Sequence, residues 1–244
     1  MTETKNKISE LVTLFLKGRQ PIGKQGILSV ETQIRAWKKA NRRMKWGISS
    51  EAFSNIGTGP PLHAREKEEG FIGPVLFYGF GDDGRGHSDA VLSGKLAWEF
   101  ARKRKKKQTW QCEYIDFDKP DMIRLRPEAP PRPKGFYLAW IRTGERLLKQ
   151  TVSEFRKGLA TDTGFGPEGI QFLAITHIHF QNLMNERKIP FMAFADYDVA
   201  PYGFSDFFDA VQMFCSLGIL GLGIGNVDRK YPFFGIPTLR FEDP

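Results

Sequence analysis

Two residue pairs in the C-terminal half have the types and spacing that metal chemistry uses: His177-Ile178-His179 and Asp196-Tyr197-Asp198. On an extended chain, residues two apart project to the same side, so each pair can offer two ligands to one ion. Imidazoles with carboxylates suit zinc, iron or manganese, and carboxylates alone suit magnesium or calcium. Together the four define a candidate site for a divalent metal (magnesium, manganese or zinc). They would then serve a metal-dependent hydrolase of the phosphodiesterase or nuclease kind. The competing account is structural: a histidine at a helix start caps or packs, and acids after a strand cap a turn or the next helix.

These residues need elements to carry them. The apolar run Ile189–Ala195, entered through Pro190, reads as a strand buried on both faces that stops at the two acids. Gly169–Ile175 reads as a second buried strand, and a helix follows from Phe180 to Lys188. Strand, helix, strand predicts a parallel pair whose ends share one sheet edge, bringing the histidines within reach of the acids. Earlier, Pro74–Tyr78 reads as a strand, and a helix runs from Ser88 to Lys106 with Leu92, Leu96 and Phe100 on one stripe. Thr109–Phe117 then alternates like a strand. The expected fold class is α/β: a single mixed, mostly parallel sheet flanked by helices, with an N-terminal helical extension.

Residues 1–47 are expected to form that basic extension, with helices over 7–17 and 30–46, and residues 48–244 one domain. Arg126–Lys134, with four prolines, reads as an extended surface segment. Gly135–Ile141 and Arg146–Gln150 read as a hairpin, Thr151–Glu154 as a capping box, and Asp206–Leu217 as a helix capped by Ser205. The alternating glycines of Gly218–Gly225 suit a strand closely approached by another group, or a ligand loop. A last strand is expected over 231–241.

Gly79-Phe80-Gly81-Asp82-Asp83-Gly84 formally matches a dinucleotide fingerprint between a strand and a helix. Its two aspartates would repel the pyrophosphate, and the candidate ribose acid Asp116 lies too far along the chain. No dinucleotide cofactor is assigned.

The stretch Asp196-Tyr197-Asp198-Val199-Ala200-Pro201-Tyr202-Gly203 resembles the Asp-x-Asp motif of TOPRIM domains, nearest to that of the topoisomerase VI A subunit family. The resemblance implies that the two acids bind magnesium for DNA cleavage. Here Val199 and Ala200 intrude before Pro-Tyr-Gly, and the place of that family's earlier acid falls to Thr176 or His177. Asn41-Arg42-Arg43-Met44-Lys45-Trp46 repeats the wording of a homeodomain recognition helix. The register is wrong, because Asn41 follows Trp37 by four residues where that family has three, a rotation of about 100° around the helix.

Charge supplies the other line of argument. Lys and Arg number 36 against 28 Asp and Glu, for a net charge of +8, which favours an anionic partner. Two segments concentrate it: Arg102, Lys103, Arg104, Lys105, Lys106 and Lys107 in an unbroken run, and Lys38, Lys39, Arg42 and Arg43 on the first basic helix. Both are candidates for contact with nucleic acid or another polyanion, against the plainer reading of solvated helix ends. Two distant cysteines, the absence of a signal-peptide pattern and the absence of an apolar run of about 18 residues point to a cytoplasmic protein without a transmembrane segment. The functional expectation is a nucleic-acid-binding or accessory protein. The rivals are the metal-dependent hydrolase and a non-catalytic scaffold or oligomerising protein using its 21 phenylalanines.

Overall fold

The computed structural model describes residues 26–57, 70–81, 89–105, 108–119, 122–144, 147, 150–158, 163–182, 191–200, 206–216 and 218–240. Helix α1 (Val30–Met44) opens on Ser29, whose hydroxyl accepts from the Thr32 amide, and closes on Lys45 in the left-handed region at φ 59°. A short helix α2 (Ser50–Ser54) follows, then strand β1 (Ile72–Gly79) and the long helix α3 (Asp89–Lys105). Strands β2 (Thr109–Gln111), β3 (Ile123–Leu125) and β4 (Gly135–Arg142) lead to helix α4 (Val152–Gly158) and strand β5 (Thr163–Gly164). Helix α5 (Pro167–Gln171) runs into a π-helical turn (Phe172–Thr176) and a 3-10 turn (Ile178–Asn182). Strands β6 (Phe191–Val199), β7 (Asp209–Ser216), β8 (Ile219–Asn226), β9 (Phe234–Gly235) and β10 (Thr238–Arg240) complete the described chain.

The expected single, mostly parallel sheet is not what forms. The described residues form two sheets: one of order β1-β4-β10-β5, antiparallel throughout, and one of order β2-β8-β7-β6-β3 with β9 beside β6. In the second sheet only the β2–β8 and β6–β9 pairs are parallel. Two misread segments account for the difference. Gly169–Ile175 is helical: it begins in α5, with Pro167 at the first turn, and continues as the π turn. All of it is buried, so its apolar run carries no periodicity that separates a buried helix from a buried strand. With no strand there, β6 has no parallel partner ahead of it.

The expected helix over Asp206–Leu217 is instead β7, hairpinned to β8 in eight-residue register. The glycines of β8 are what let it lie flat. A Cβ at Gly221 would overlap the Phe214 ring, and one at Gly225 would overlap the Gln212 amide, so side chains of β7 lie across the bare backbone of β8. The β1-α3-β2 stretch is not a parallel unit either, because β1 and β2 belong to different sheets. Other readings hold locally. The Thr151–Glu154 capping box forms reciprocally, with the Glu154 amide donating to Thr151 Oγ1 and the Thr151 amide to Glu154 Oε2, both at 2.9 Å. The expected helix 7–17, Ser88, Asp82–Gly84, Lys106–Lys107, Pro201–Ser205 and most of the second hairpin strand lie outside the described residues.

Helix α1 is docked into the core. Trp37 is fully buried among Trp46, Tyr78 and Phe136. Strand β1 stands at the end of its sheet, where a ladder would leave backbone groups unpaired. Side chains close that edge. Gln33 Nε2 donates to Leu28 O (2.8 Å) and Pro74 O (2.9 Å), while its Oε1 accepts from the Leu76 amide at 2.7 Å. Trp37 Nε1 donates to Leu76 O at 3.1 Å. Gln171 completes the row on Tyr78, accepting from its amide at 3.0 Å and donating to its carbonyl at 2.8 Å. Among the described residues, no helix is long and apolar enough to cross a membrane.

Candidate nucleic-acid interface

The two basic segments, distant in sequence, meet in space. Helices α1 and α3 bring their C-terminal ends together, and the contact is reciprocal: Arg43 Nη2 donates to Lys103 O at 2.8 Å, and Lys103 Nζ to Arg43 O at 3.4 Å. Lys38, Lys39, Arg42, Arg43, Lys45, Arg102, Lys103 and Arg104 are all exposed. Among the described residues, none of these cations pairs with a carboxylate within 4.0 Å. The Arg104 guanidinium, partly covered by its neighbours, has a lowered pKa, first through that burial and secondarily through the Arg43 charge. Two helix C-termini favour cations by about 0.3–1 kcal/mol each. That attraction explains the ends of α1 and α3 separately, but not their juxtaposition without a paired carboxylate among the described residues.

The candidate metal residues go to different places. His177 is buried; its Nε2 accepts from the Leu28 amide at 3.1 Å, so the proton sits on Nδ1, which donates to Thr176 Oγ1 at 2.8 Å. His179 donates from Nε2 to Gly26 O at 2.9 Å. Burial lowers both imidazole pKa values, that of His177 well below its ordinary value with help from His179. The pair thus pins residues 26–28 to the π turn, and stacks on Phe172 through His177. Asp196 and Asp198 share a face of β6, as their spacing requires, and what they meet there is arginine. Among the described residues, no three His, Cys, Asp or Glu side chains are arranged to hold a metal ion.

That arginine cluster was not foreseen as a unit. Pairing of β6 with β7 slips between Phe194 and Asp198, freeing Ala195–Tyr197 from that ladder. The Asp196 amide then donates to Phe165 O (3.1 Å), and its carbonyl accepts from the Arg126 amide (2.8 Å). Arg132 comes from the proline-rich segment read as surface, yet its side chain is 4% exposed. It donates through Nε to Glu168 Oε1 (2.7 Å), and through Nη2 to Asp196 Oδ2 and Gly164 O (both 2.9 Å). Tyr137 adds a hydroxyl bond to Glu168 Oε1 at 2.8 Å. Arg126 Nη2 stands 3.5 Å from Asp196 Oδ1. Asp198 faces Arg156 of α4 at 2.8 Å and Arg124 of β3 at 3.7 Å, and the Arg124 guanidinium also lies over the Phe207 ring.

Burial raises both Asp196 and Asp198 above the ordinary carboxylate range, and the surrounding arginines offset only part of that. For Arg132, burial pulls the guanidinium pKa down, but Glu168 and Asp196 outweigh it and raise it. The chemistry open to this cluster is charge-compensated cross-linking: one network ties β3, α4, α5 and the proline-rich segment to β6. The signal for it was in the sequence. Arg124-Leu125-Arg126 has the same two-residue spacing as Asp196-Tyr197-Asp198, and the strands pair with Arg124 opposite Asp198.

No family model, no curated protein and no solved structure matches this chain.

Proposed function

We propose that this protein binds nucleic acid through the face formed where α1 and α3 meet. The observation that carries the reading is the reciprocal Arg43–Lys103 contact, which joins two basic segments into one surface with no carboxylate partner among the described residues. Crowding like charges costs free energy in the absence of a ligand, and phosphates that release counterions from such a face return it. The reading is of a non-catalytic binding or accessory role. Unpaired Cys112 and Cys215 suit its placement in the cytoplasm.

The test is affinity for a labelled oligonucleotide measured at several salt concentrations. Neutralising about four phosphates gives a logarithmic salt slope of about −3 on a single strand and slightly steeper on a duplex. The double variant Arg42→Glu/Arg104→Glu should bind at least about tenfold more weakly and with a shallower slope. Salt-independent binding, or equal binding by that variant, would sink the reading.

A further inference from the structure

We propose that the cleft between the last turns of α3 and strand β2 receives an unpaired nucleobase stacked on Trp110, so that the ligand is single-stranded. This deepens the nucleic-acid reading above and rests on it. The cleft encloses about 660 Å³, and Trp98, Arg102 and Trp110 are among the residues that line it. Trp110 is 49% exposed, the highest fraction among the large apolar side chains described. Strand β2 is the end strand of its sheet, and the Trp110 ring is backed by Phe214 with ring centroids 5.8 Å apart. A fixed, half-exposed indole is the platform on which bases stack in single-strand binding proteins.

Charge decides which part of a nucleotide enters. Four carboxylates also line the cleft. Asp118 pairs with Lys95, and Asp116 with Lys119 at 3.5 Å. Glu99 and Glu113 have no cation partner among the described residues. They repel a phosphate and accept hydrogen bonds from the exocyclic amino groups of bases. Arg102 belongs both to the cleft wall and to the basic face. A strand crossing it keeps its phosphates on the cations outside while a base turns inward to Trp110. A duplex has no base free to do so.

The experiment compares a labelled single strand with the duplex of the same sequence, binding wild type, Trp110→Ala, Trp110→Phe and Arg42→Glu/Arg104→Glu. Trp110→Ala should lose about tenfold or more in single-strand affinity and nothing on the duplex. Trp110→Phe should keep most single-strand binding while losing the tryptophan quenching that the single strand produces in wild type. This second readout decides the matter should the alanine variant fold poorly. Unchanged single-strand binding by Trp110→Ala, or identical quenching in wild type and Trp110→Phe, overturns the stacking proposal. If the charge-reversed variant is still weakened in that case, the nucleic-acid reading stands without it. No binding of either nucleic acid by wild type at low salt overturns both.

Discussion

His177 holds a neutral imidazole because its Nε2 must accept from the Leu28 amide, and a proton there would break that bond in a site without water's compensation. Its folded pKa lies well below the unfolded value and that of His179 is lowered too, so the unfolded chain takes up protons first as pH falls. The stability they contribute is complete above about pH 6.5 and is lost as pH falls through and below it, at up to about 1.4 kcal/mol per pH unit for each histidine. Asp196 and Asp198 act with the opposite sign, since a raised carboxylate pKa favours the fold as acid protonates it. The histidine contribution predicts urea midpoints that drop between pH 7.5 and about 6, and His177→Gln should flatten that drop. An unchanged slope in the variant would mean that His177 is not the titrating group. Arg132 makes a second residue-scale prediction. Arg132→Met strands Glu168 and Asp196 together in the core and should cost about 3–5 kcal/mol in urea unfolding, whereas Glu128→Ala at the exposed rim should cost under about 1 kcal/mol.

At the scale of elements, local signals read true and pairing signals did not. The capping box, the start of α1 at Val30 and the presence of β6 were legible, because each is written in neighbouring residues, but β6 runs on through both aspartates to Val199, past the point where the sequence pattern stops it. Segment 169–175 was not, since complete burial erases the contrast between polar and apolar faces that tells a helix from a strand. Around β7, Phe207, Phe208, Val211 and Phe214 mimic a helical stripe, and only the fold shows Phe214 lying across Gly221 of β8 while Phe207 sits under Arg124. The common face of Asp196 and Asp198 was legible from their spacing but their arginine partners were not, because an arginine among prolines looks like surface until the fold closes over it. The β1 edge offers the prediction proper to this scale. Gln33→Leu leaves the Leu76 amide and Pro74 carbonyl unpaired, and Gln171→Leu does the same at Tyr78. Each should lower stability by about 2–4 kcal/mol, whereas Gln108→Leu, exposed before β2, should change it by less than about 0.5 kcal/mol.

For the whole molecule, the basic face and the closed edge depend on the same event, the docking of α1. Arg43 reaches Lys103 only when Trp37 and Gln33 are seated, so the proposed nucleic-acid face is a property of the folded state alone, and an oligonucleotide that binds it should raise the unfolding temperature. Gln33 and Trp37, which seat the helix, and Gln171 of α5 also occupy the hydrogen-bonding positions along β1 that a strand from another molecule would need. Sheet growth is therefore blocked from that side by three side chains, and Pro74 adds an edge position with no amide to donate. The consequence is a hidden route to fibre formation: a lesion that merely loosens α1, without unfolding either sheet, uncovers the Pro74–Leu76 part of the edge as a template for strand addition, while Gln171 stays on Tyr78. Polymerisation would then begin from a chain that is still almost entirely native.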